Sequence, residues 1–365
     1  MPSMFSKLRR TDASSLFGSS YDDLRQVQGS TTANPLSARQ NAMAATMPIV
    51  YSPRYNIHFW GLEKLHPFDS CKYQNIVQHL RKRGIGIDAV HEPKEASRAV
   101  LADVHTPEYL NKVHSSSLAV AQVTEMAILA SLPNWLLQQR IVAPMKVHVS
   151  GTMLATALAI QEGWAINIGG GMHHAHAESG GGWCPFSDIY LAIRRIRVAS
   201  QGKISRIVYI DCDAHQGNGV ERDKLSHQGD KDLIILDIYN AGVYPLDHEA
   251  KAAIDINVEL RSGCNGEEYL KKLTSALDEA VSRFRSVDLI IYNAGTDILV
   301  NDPLGRLKVD EADVIKRDEL VWRYAAEEFK CPIVMLLSGG YPKRSAAVVT
   351  DSIANLIQRF NLNQL

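Results

Sequence analysis

The sequence predicts one α/β domain with three layers, in which helices flank a mostly parallel central sheet. Two observations predict this fold class. From residue 48 onward, short apolar runs alternate with longer amphipathic stretches, the order expected of strands separated by helices in a parallel sheet. All but the first of these runs end in a polar, often glycine-rich segment, as strands that lead into loops do. We therefore assign residues 48–365 to a single domain of catalytic size.

Apolar periodicity places the individual elements. The predicted strands are Ile49–Tyr51, Ala165–Ile168, Arg206–Ile210, Leu233–Ile238, Leu289–Tyr292 and Ile333–Leu337. The predicted helices are Cys71–Arg83, Met145–Glu162, Asp188–Ala199, Glu267–Arg283, Val314–Phe329 and Ser345–Phe360. Active sites of open parallel sheets form beyond the carboxyl ends of the strands, so the segments that follow strands should converge. These segments are Gly169–Glu178, Asp211–Gly219, Tyr239–Tyr244, Asn293–Pro303 and Ser338–Tyr341.

Composition and charge argue against several classes of function. The 39 basic and 40 acidic residues leave a formal charge of −1, which gives no general field for holding nucleic acid, so we expect no direct nucleic-acid partner. No apolar run reaches the ~18 residues that a membrane-spanning helix needs. The five cysteines are scattered and form no CxxC pair, which fits reduced thiols and a nuclear or cytoplasmic location.

Residues 1–47 differ in composition from the rest of the chain. They are rich in Ser, Thr, Ala, Gln and Asn, which predicts a largely disordered extension with at most a short helix at Tyr21–Gln28. Basic residues among many serines also resemble an organellar transit peptide, although three aspartates are more acid than such segments usually contain.

Adjacent histidines follow the second predicted strand. His173 and His174 lie in the glycine-rich segment 169–176, where glycines permit unusual backbone angles and close approach of a ligand. In isolation, the segment could equally be a flexible loop with surface histidines.

Acidic residues and a histidine follow the third predicted strand. In extended chain, alternate side chains share a face, so Asp211, Asp213 and His215 can point the same way. The alternative is a solvated loop or an aspartate that caps the next helix. Asp297 adds a carboxylate at another strand end. Catalytic zinc takes three protein ligands and leaves one position for water, so Asp213, His215 and Asp297 suit that type of site.

Tyr341 follows two glycines at the end of the last predicted strand. A phenol that points into a metal site can stabilise the oxyanion formed when water attacks a carbonyl. A lone tyrosine is more often a core aromatic whose hydroxyl reaches water.

Taken in order, these motifs resemble those of the zinc-dependent histone deacetylase family, which has the arginase/deacetylase fold. The resemblance runs from about Ile49 to Ile357 and looks closest to the class IV branch, the histone-deacetylase-11-like proteins. The segments that carry it are Arg54–Ile57, Gly61–Asp69, Asp213–Asp223 and Lys316–Leu320.

The resemblance implies one catalytic Zn²⁺ held by Asp213, His215 and Asp297. It makes His173 and His174 a tandem of proton-transfer residues, with His174 as the general base. Tyr341 would polarise the carbonyl of an acyl-lysine.

It also implies surrounding roles. Asp211 would bond the first histidine and help to bind a structural K⁺, and Asn218 stands where class I members place an aspartate, which leaves the resting charge of the second histidine open. Gly182, Trp183 and Tyr244 would line the channel for the lysine methylenes.

The implied function is hydrolysis of acyl-lysine amides in histone or other proteins, with acetyl and long fatty acyl groups as the open alternatives. Contact with chromatin would need co-regulator proteins, since no direct DNA binding is expected. An acetylpolyamine deacetylase and a catalytically silent acyl-lysine-binding module are the competing hypotheses. The related two-manganese ureohydrolases fit less well, because Gly217 and Leu299 stand where a second metal needs carboxylates.

Overall fold

The computed structural model describes residues 3–8, 47–85, 87, 90–227 and 229–363. Seven parallel strands form one sheet in the order β1-β2-β7-β6-β3-β4-β5. Their bounds are β1 Ile49–Val50, β2 Trp164–Asn167, β3 Ile207–Asp211, β4 Leu233–Asn240, β5 Ile256–Leu260, β6 Leu289–Asn293 and β7 Ile333–Leu336.

Eleven α-helices lie within the described residues. They are α1 Lys72–Lys82, α2 Arg98–Leu101, α3 Pro107–Ser115, α4 Ser117–Val123, α5 Asn134–Leu137, α6 Ala143–Glu162, α7 Asp188–Ala199, α8 Asn218–Ser226, α9 Gly266–Arg283, α10 Glu311–Arg323 and α11 Ser345–Arg359. Short 3₁₀ turns are Met4–Leu8, Pro53–Tyr55, Leu62–Leu65, Ala127–Ser131 and Ala250–Ala253, and π segments are Gln138–Val142 and Tyr324–Phe329.

Both faces of the sheet are covered, which explains why its central strands read as continuous apolar runs. In β3, Val208 and Ile210 belong to one hydrophobic core, whereas Ile207 and Tyr209 belong to the core on the opposite face. Helices α1, α9, α10 and α11 contribute to the first core, and α3, α4, α6 and α7 to the second. The predicted three-layer α/β architecture is therefore confirmed.

The register of the sheet brings the functional loops together. Asn167, Leu336, Asn293, Asp211 and Asp237 pair in one row across five neighbouring strands. Four of these residues end their strands, so the loops that follow β2, β7, β6 and β3 start side by side at the same edge. This is the convergence that the sequence predicted for those four loops.

The sequence missed two elements close to this edge. Strand β5 alternates buried and exposed residues at the border of the sheet, a weaker signal than the apolar runs of the centre. Helix α8 contains buried polar residues, so its apolar periodicity is poor. The predicted helix Val314–Phe329 is an α-helix only to Arg323 and continues as the π segment.

One helical stretch of the described residues, Asn134–Glu162, is long and apolar enough to cross a membrane by length and composition. Of its most apolar window, 83% is buried inside the protein. Such burial is typical of a core helix, and α6 packs on strand β2 and helix α7.

The described residues 3–8 lie at the start of the segment 1–47, which the sequence predicted to be largely disordered. Residues Met4–Leu8 form a 3₁₀ turn, and the fully buried Phe5 ring lies 5.4 Å from the Trp322 ring and 5.8 Å from the Phe360 ring. A large aromatic side chain gains enough from burial to hold a short segment on the domain. The predicted helix Tyr21–Gln28 lies outside the described residues, and the boundary at residue 48 stays a prediction.

Replacing Phe5 by Ala should lower the free energy of unfolding by about 3 kcal/mol, because it empties a fully buried aromatic site. Denaturant unfolding of the full chain measures this. The neighbouring Met4 is 44% exposed, so Met4→Ala is the control and should change stability by less than ~0.5 kcal/mol. Equal effects of the two substitutions would show that the turn does not dock through Phe5.

Candidate active site

Three predicted ligands meet at the carboxyl edge of the sheet. Asp213 and His215 follow β3, and Asp297 follows β6. The Nδ1 atom of His215 lies 2.8 Å from Oδ2 of Asp297 and 3.0 Å from Oδ1 of Asp213. Ligand atoms from the three buried residues lie within 4.8 Å of one another. The structure thus assembles the proposed metal-binding set from two separate loops.

The charge of this cluster favours a cation. Burial lowers the pKa of His215, but the carboxylates of Asp213 and Asp297 outweigh burial and raise that pKa well above its usual value. A positive species, either a proton or a metal ion, is therefore strongly favoured beside Nδ1. Two carboxylates and one imidazole are the donor types of three-ligand catalytic zinc sites. The residues present fit a single divalent ion.

Backbone groups orient both carboxylates. Oδ2 of Asp213 accepts a hydrogen bond from the Gly339 N–H, and Oδ1 of Asp297 accepts one from the Ala214 N–H, both at 2.8 Å. These bonds occupy one oxygen of each carboxylate and turn the other toward His215. A Cβ atom on Gly339 would lie 2.4 Å from Oδ2 of Asp297 and 2.6 Å from Oδ2 of Asp213, so only glycine fits there.

A buried guanidinium supports the two ligand loops from below. The Nη1 atom of Arg317 donates to the carbonyl of Gly295 and, at 3.2 Å, to the carbonyl of Cys212. Each carbonyl lies within two residues of a ligand carboxylate. Asp318 balances the charge of Arg317 through contacts of 2.8 and 2.9 Å. Arg317 falls within a segment that carried the family resemblance, but the sequence assigned it no role, since nothing in a helix marks a long-range contact to two loops.

The two histidines share an environment but differ in their partners. Nδ1 of His173 lies 2.8 Å from Oδ2 of Asp211, and Nδ1 of His174 lies 2.9 Å from Oδ1 of Asn218. Burial lowers the pKa of His173, but carboxylates led by that of Asp211 raise it to about 9. Burial, together with the positive charge of neighbouring histidines, lowers the pKa of His174 well below its usual value. One ring therefore favours the charged form and the other the neutral form.

The histidine loop is held by side chains that the sequence did not single out. Oδ2 of the buried Asp188 accepts from the Gly171 N–H at 2.9 Å, and its Oδ1 accepts from the Met172 N–H at 2.8 Å. Nδ1 of His148 accepts from the Gly170 N–H at 3.0 Å. These bonds satisfy backbone donors in a buried loop and hold the following histidines in place.

Tyr341 lies beside the metal-binding set. Its ring centroid is 6.3 Å from that of His215. Burial and the carboxylate of Asp297 raise the pKa of Tyr341 well above its usual value, so its hydroxyl keeps its proton and remains a donor. This tyrosine is thus an O–H donor at the junction of two cavities that it lines.

The predicted channel residues divide between those two cavities. Tyr244 lines an outer cavity of about 310 Å³, and Trp183 lines an inner cavity of about 40 Å³. Gly182 lines both, and a Cβ atom on it would lie 2.5 Å from Cδ2 of His174. The chain turns at Gly182 and Trp183, which both have positive φ, and the indole packs 5.4 Å from the Phe68 ring. Trp183 and Tyr244 therefore line neighbouring cavities that share Gly182 and Tyr341.

Lys72 is a further residue near the ligands that the sequence analysis missed. Its buried ammonium donates to the carbonyl of Gly339 at 3.0 Å and to that of Ser338. Burial lowers the pKa of Lys72 to about 8, although Asp297 and Asp213 oppose this shift. The sequence offered one signal that Lys72 is buried. It lies on the same face of α1 as the apolar residues Ile76 and Leu80, and that face packs inside the protein.

Comparisons with known proteins point to one family. The family model described as "Histone deacetylase domain" matches residues 66–357. The chain is 49% identical to "Histone deacetylase 2" of Arabidopsis thaliana over 313 residues, 84% of this chain and 78% of that protein. It is 26% identical to "Histone deacetylase 8" of Xenopus tropicalis over 262 residues, 69% of this chain and 68% of that protein.

Among solved structures, "Crystal Structure of HDA15 HD domain" superposes with a TM-score of 0.67 at 18% sequence identity. The match covers 86% of this chain and 89% of that chain. At this identity the likeness supports the fold alone.

Gly339→Ala should weaken binding of Zn²⁺ by about 10- to 100-fold, because the added methyl group displaces both ligand carboxylates. Calorimetric titration of the metal-depleted protein with Zn²⁺ measures the affinity. Gly242→Ala is the control, since its Cβ would meet its nearest neighbour at 3.4 Å and no ligand. Unchanged Zn²⁺ affinity in a folded Gly339→Ala protein would contradict the assigned ligand geometry.

Proposed function

This chain belongs to the histone deacetylase family and is a hydrolase of that type, and we propose that it removes acyl groups from lysine side chains with one Zn²⁺ ion. The observation that carries the proposal is the arrangement of three buried ligands beside two histidines of opposite charge preference and a protonated tyrosine. Hydrolysis of an amide needs an acceptor for a proton of water, a donor for the leaving amine and stabilisation of an oxyanion.

Asp213, His215 and Asp297 would hold the Zn²⁺ ion. When bound there, this Lewis acid would polarise the substrate carbonyl and make water more acidic. The neutral His174 has a free lone pair and takes a proton from the attacking water. The Tyr341 hydroxyl donates a hydrogen bond to the oxygen of the attacked carbonyl.

The charged member of the histidine pair completes the proposed reaction. His173 lies beside Asp211 and favours the imidazolium form, so the pair retains a proton for the leaving lysine amine. The rings of His173 and His174 are 4.1 Å apart, which allows both to reach one reacting centre. The products are free lysine and a carboxylate.

The outer cavity would receive the lysine stem and the inner cavity the acyl group. Tyr244 is 44% exposed at the outer cavity, whose other lining residues include both Glu125 and Arg306. A mouth with one acid and one base offers no net attraction for a polycation. An acylated protein or peptide is therefore the substrate that we propose, rather than an acetylpolyamine.

We propose long-chain acyl groups as second substrates beside acetyl. The inner cavity of about 40 Å³ holds a group about as large as a methyl, as an acetyl requires. Its lining is largely apolar, and Met145 and Met172 are part of it. Methionine side chains are flexible enough to rearrange around a longer chain.

Two finer assignments rest on the family. We propose membership of the class IV branch, which the segments Gly61–Asp69 and Asp213–Asp223 support. We also propose a structural K⁺ next to Asp211. In its support, burial and the nearby charge of Asp211 raise the pKa values of the buried Asp237 and Glu221 carboxyls, an excess of acidic groups that a cation would offset.

The nucleus and the cytoplasm are the compartments that we propose, with chromatin reached through co-regulator proteins. Among the described residues, the five cysteines form no disulfide, which fits a reducing environment.

Tyr341→Phe should lower kcat on an acetyl-lysine peptide by about 100- to 1000-fold, because it removes one donor to the oxyanion and leaves the ligands in place. Steady-state kinetics and zinc content are measured on the same preparations. Tyr324→Phe, which removes a hydroxyl bonded to Asp278 away from the site, is the control and should keep wild-type kcat. Wild-type turnover in zinc-loaded Tyr341→Phe would remove the proposed role.

Turnover of matched acetyl-lysine and myristoyl-lysine peptides tests the acyl groups. We expect hydrolysis of both, and Met145→Phe should reduce myristoyl turnover more than acetyl turnover because a stiff ring replaces a flexible side chain in the inner cavity. No myristoyl hydrolysis by the wild type would remove the second substrate class. Equal losses on both peptides would show that the acyl chain does not enter this cavity.

A further inference from the structure

Asn218 contacts His174 and also contacts the carboxylate of Asp247. Asn218 is the first residue of α8, and Arg222 lies one turn later on the same face of that helix. Nδ2 of Asn218 lies 3.2 Å from Oδ2 of Asp247. Arg222 holds that carboxylate with two bonds, Nε to Oδ2 at 2.5 Å and Nη2 to Oδ1 at 2.7 Å.

The carboxylate decides which way the Asn218 amide faces. Burial raises the pKa of Asp247, but the hydrogen bonds from Arg222 and Asn218 outweigh it and lower that pKa below its usual value. An ionised carboxylate only accepts hydrogen bonds, whereas an amide has a donor end and an acceptor end. The NH₂ group of Asn218 therefore has to face Asp247, and its oxygen has to face the histidine.

The orientation of the amide in turn decides the tautomer of His174. Oδ1 of Asn218 lies 2.9 Å from Nδ1 of His174 and can only accept, so Nδ1 carries the proton. The lone pair of the neutral ring is then on Nε2, the nitrogen that does not face Asn218. The reversed amide would place a donor against Nδ1 and move the proton to Nε2.

We propose that Asp247 is a positioning residue that fixes the base-competent tautomer of His174 through the Asn218 amide. This inference rests on the proposed function, in which that histidine takes a proton from water. An aspartate in place of Asn218 would need no such help, because both of its oxygens accept. Asp247 and Arg222 thus fix the orientation of an amide that could otherwise face either way.

A double-mutant cycle tests the proposal on the zinc-loaded full chain. Asp247→Ala should lower kcat by about 10- to 100-fold with KM unchanged, because a share of the Asn218 amides reverses. In the Asn218→Asp background, the same substitution should cause no further loss, since a carboxylate has no donor end. An equal loss of kcat in both backgrounds would overturn the proposal and make Asp247 merely structural.

The tautomer can also be read without any turnover. In zinc-loaded protein with ¹⁵N-labelled histidine, the His174 signals are identified by their loss in His174→Ala. The wild type should show a protonated Nδ1, and Asp247→Ala should shift proton occupancy toward Nε2. Unchanged His174 signals in Asp247→Ala would overturn the proposal. Because this readout needs no substrate, it stands even if no acyl-lysine is hydrolysed, which would instead defeat the proposed function.

Two further variants keep the result interpretable. Asp230→Ala removes another largely buried aspartate paired with an arginine, Arg197, and should change neither kcat nor the His174 signals. If Asp247→Ala does not fold, Asp247→Asn keeps the shape of the side chain and loses its acceptor-only character. That variant should show the same direction of change in both measurements, and wild-type values in both would overturn the proposal.

Discussion

The arrangement of the site depends on two fully buried carboxylates, those of Asp213 and Asp297, that converge on His215. Buried charge is costly unless it is paired and hydrogen-bonded, so the surroundings have to satisfy both groups. Backbone N–H groups occupy one oxygen of each carboxylate, and the glycine that provides one of them leaves no room for a side chain. The other oxygen of each carboxylate faces His215, and together these acceptors favour a positive species, either a proton or a metal ion, between them.

The two neighbouring histidines have different chemical roles because they contact different side chains. Both rings are buried and close together, yet one faces a carboxylate and the other an amide. The carboxylate favours the imidazolium, while the amide permits the neutral ring that a general base requires. An amide can face either way, however, and the ion pair of Arg222 with Asp247 fixes its orientation. The residues that set the pKa values of the two histidines thus differ from those that decide which nitrogen of His174 carries the proton.

Much of the fold could be predicted because the central strands are buried on both faces and read as continuous apolar runs. The edge strand Ile256–Leu260 and the helix Asn218–Ser226 escaped prediction, since one is half exposed and the other buries polar side chains for the site. The burial of Phe5 escaped prediction for a third reason. The few apolar residues around Phe5 show no sustained periodicity, and only the fold reveals that its ring is buried.

The sequence by itself determined which residues could carry the chemistry, because parallel strands end at one edge and the functional side chains follow those ends directly. Only the tertiary structure decided how they are supported. Lys72 meets Ser338 across 266 residues of chain, Arg317 meets Cys212 across 105, and Asn218 meets Asp247 across 29. No local pattern encodes such contacts, since their distances and directions arise only when separate loops pack together.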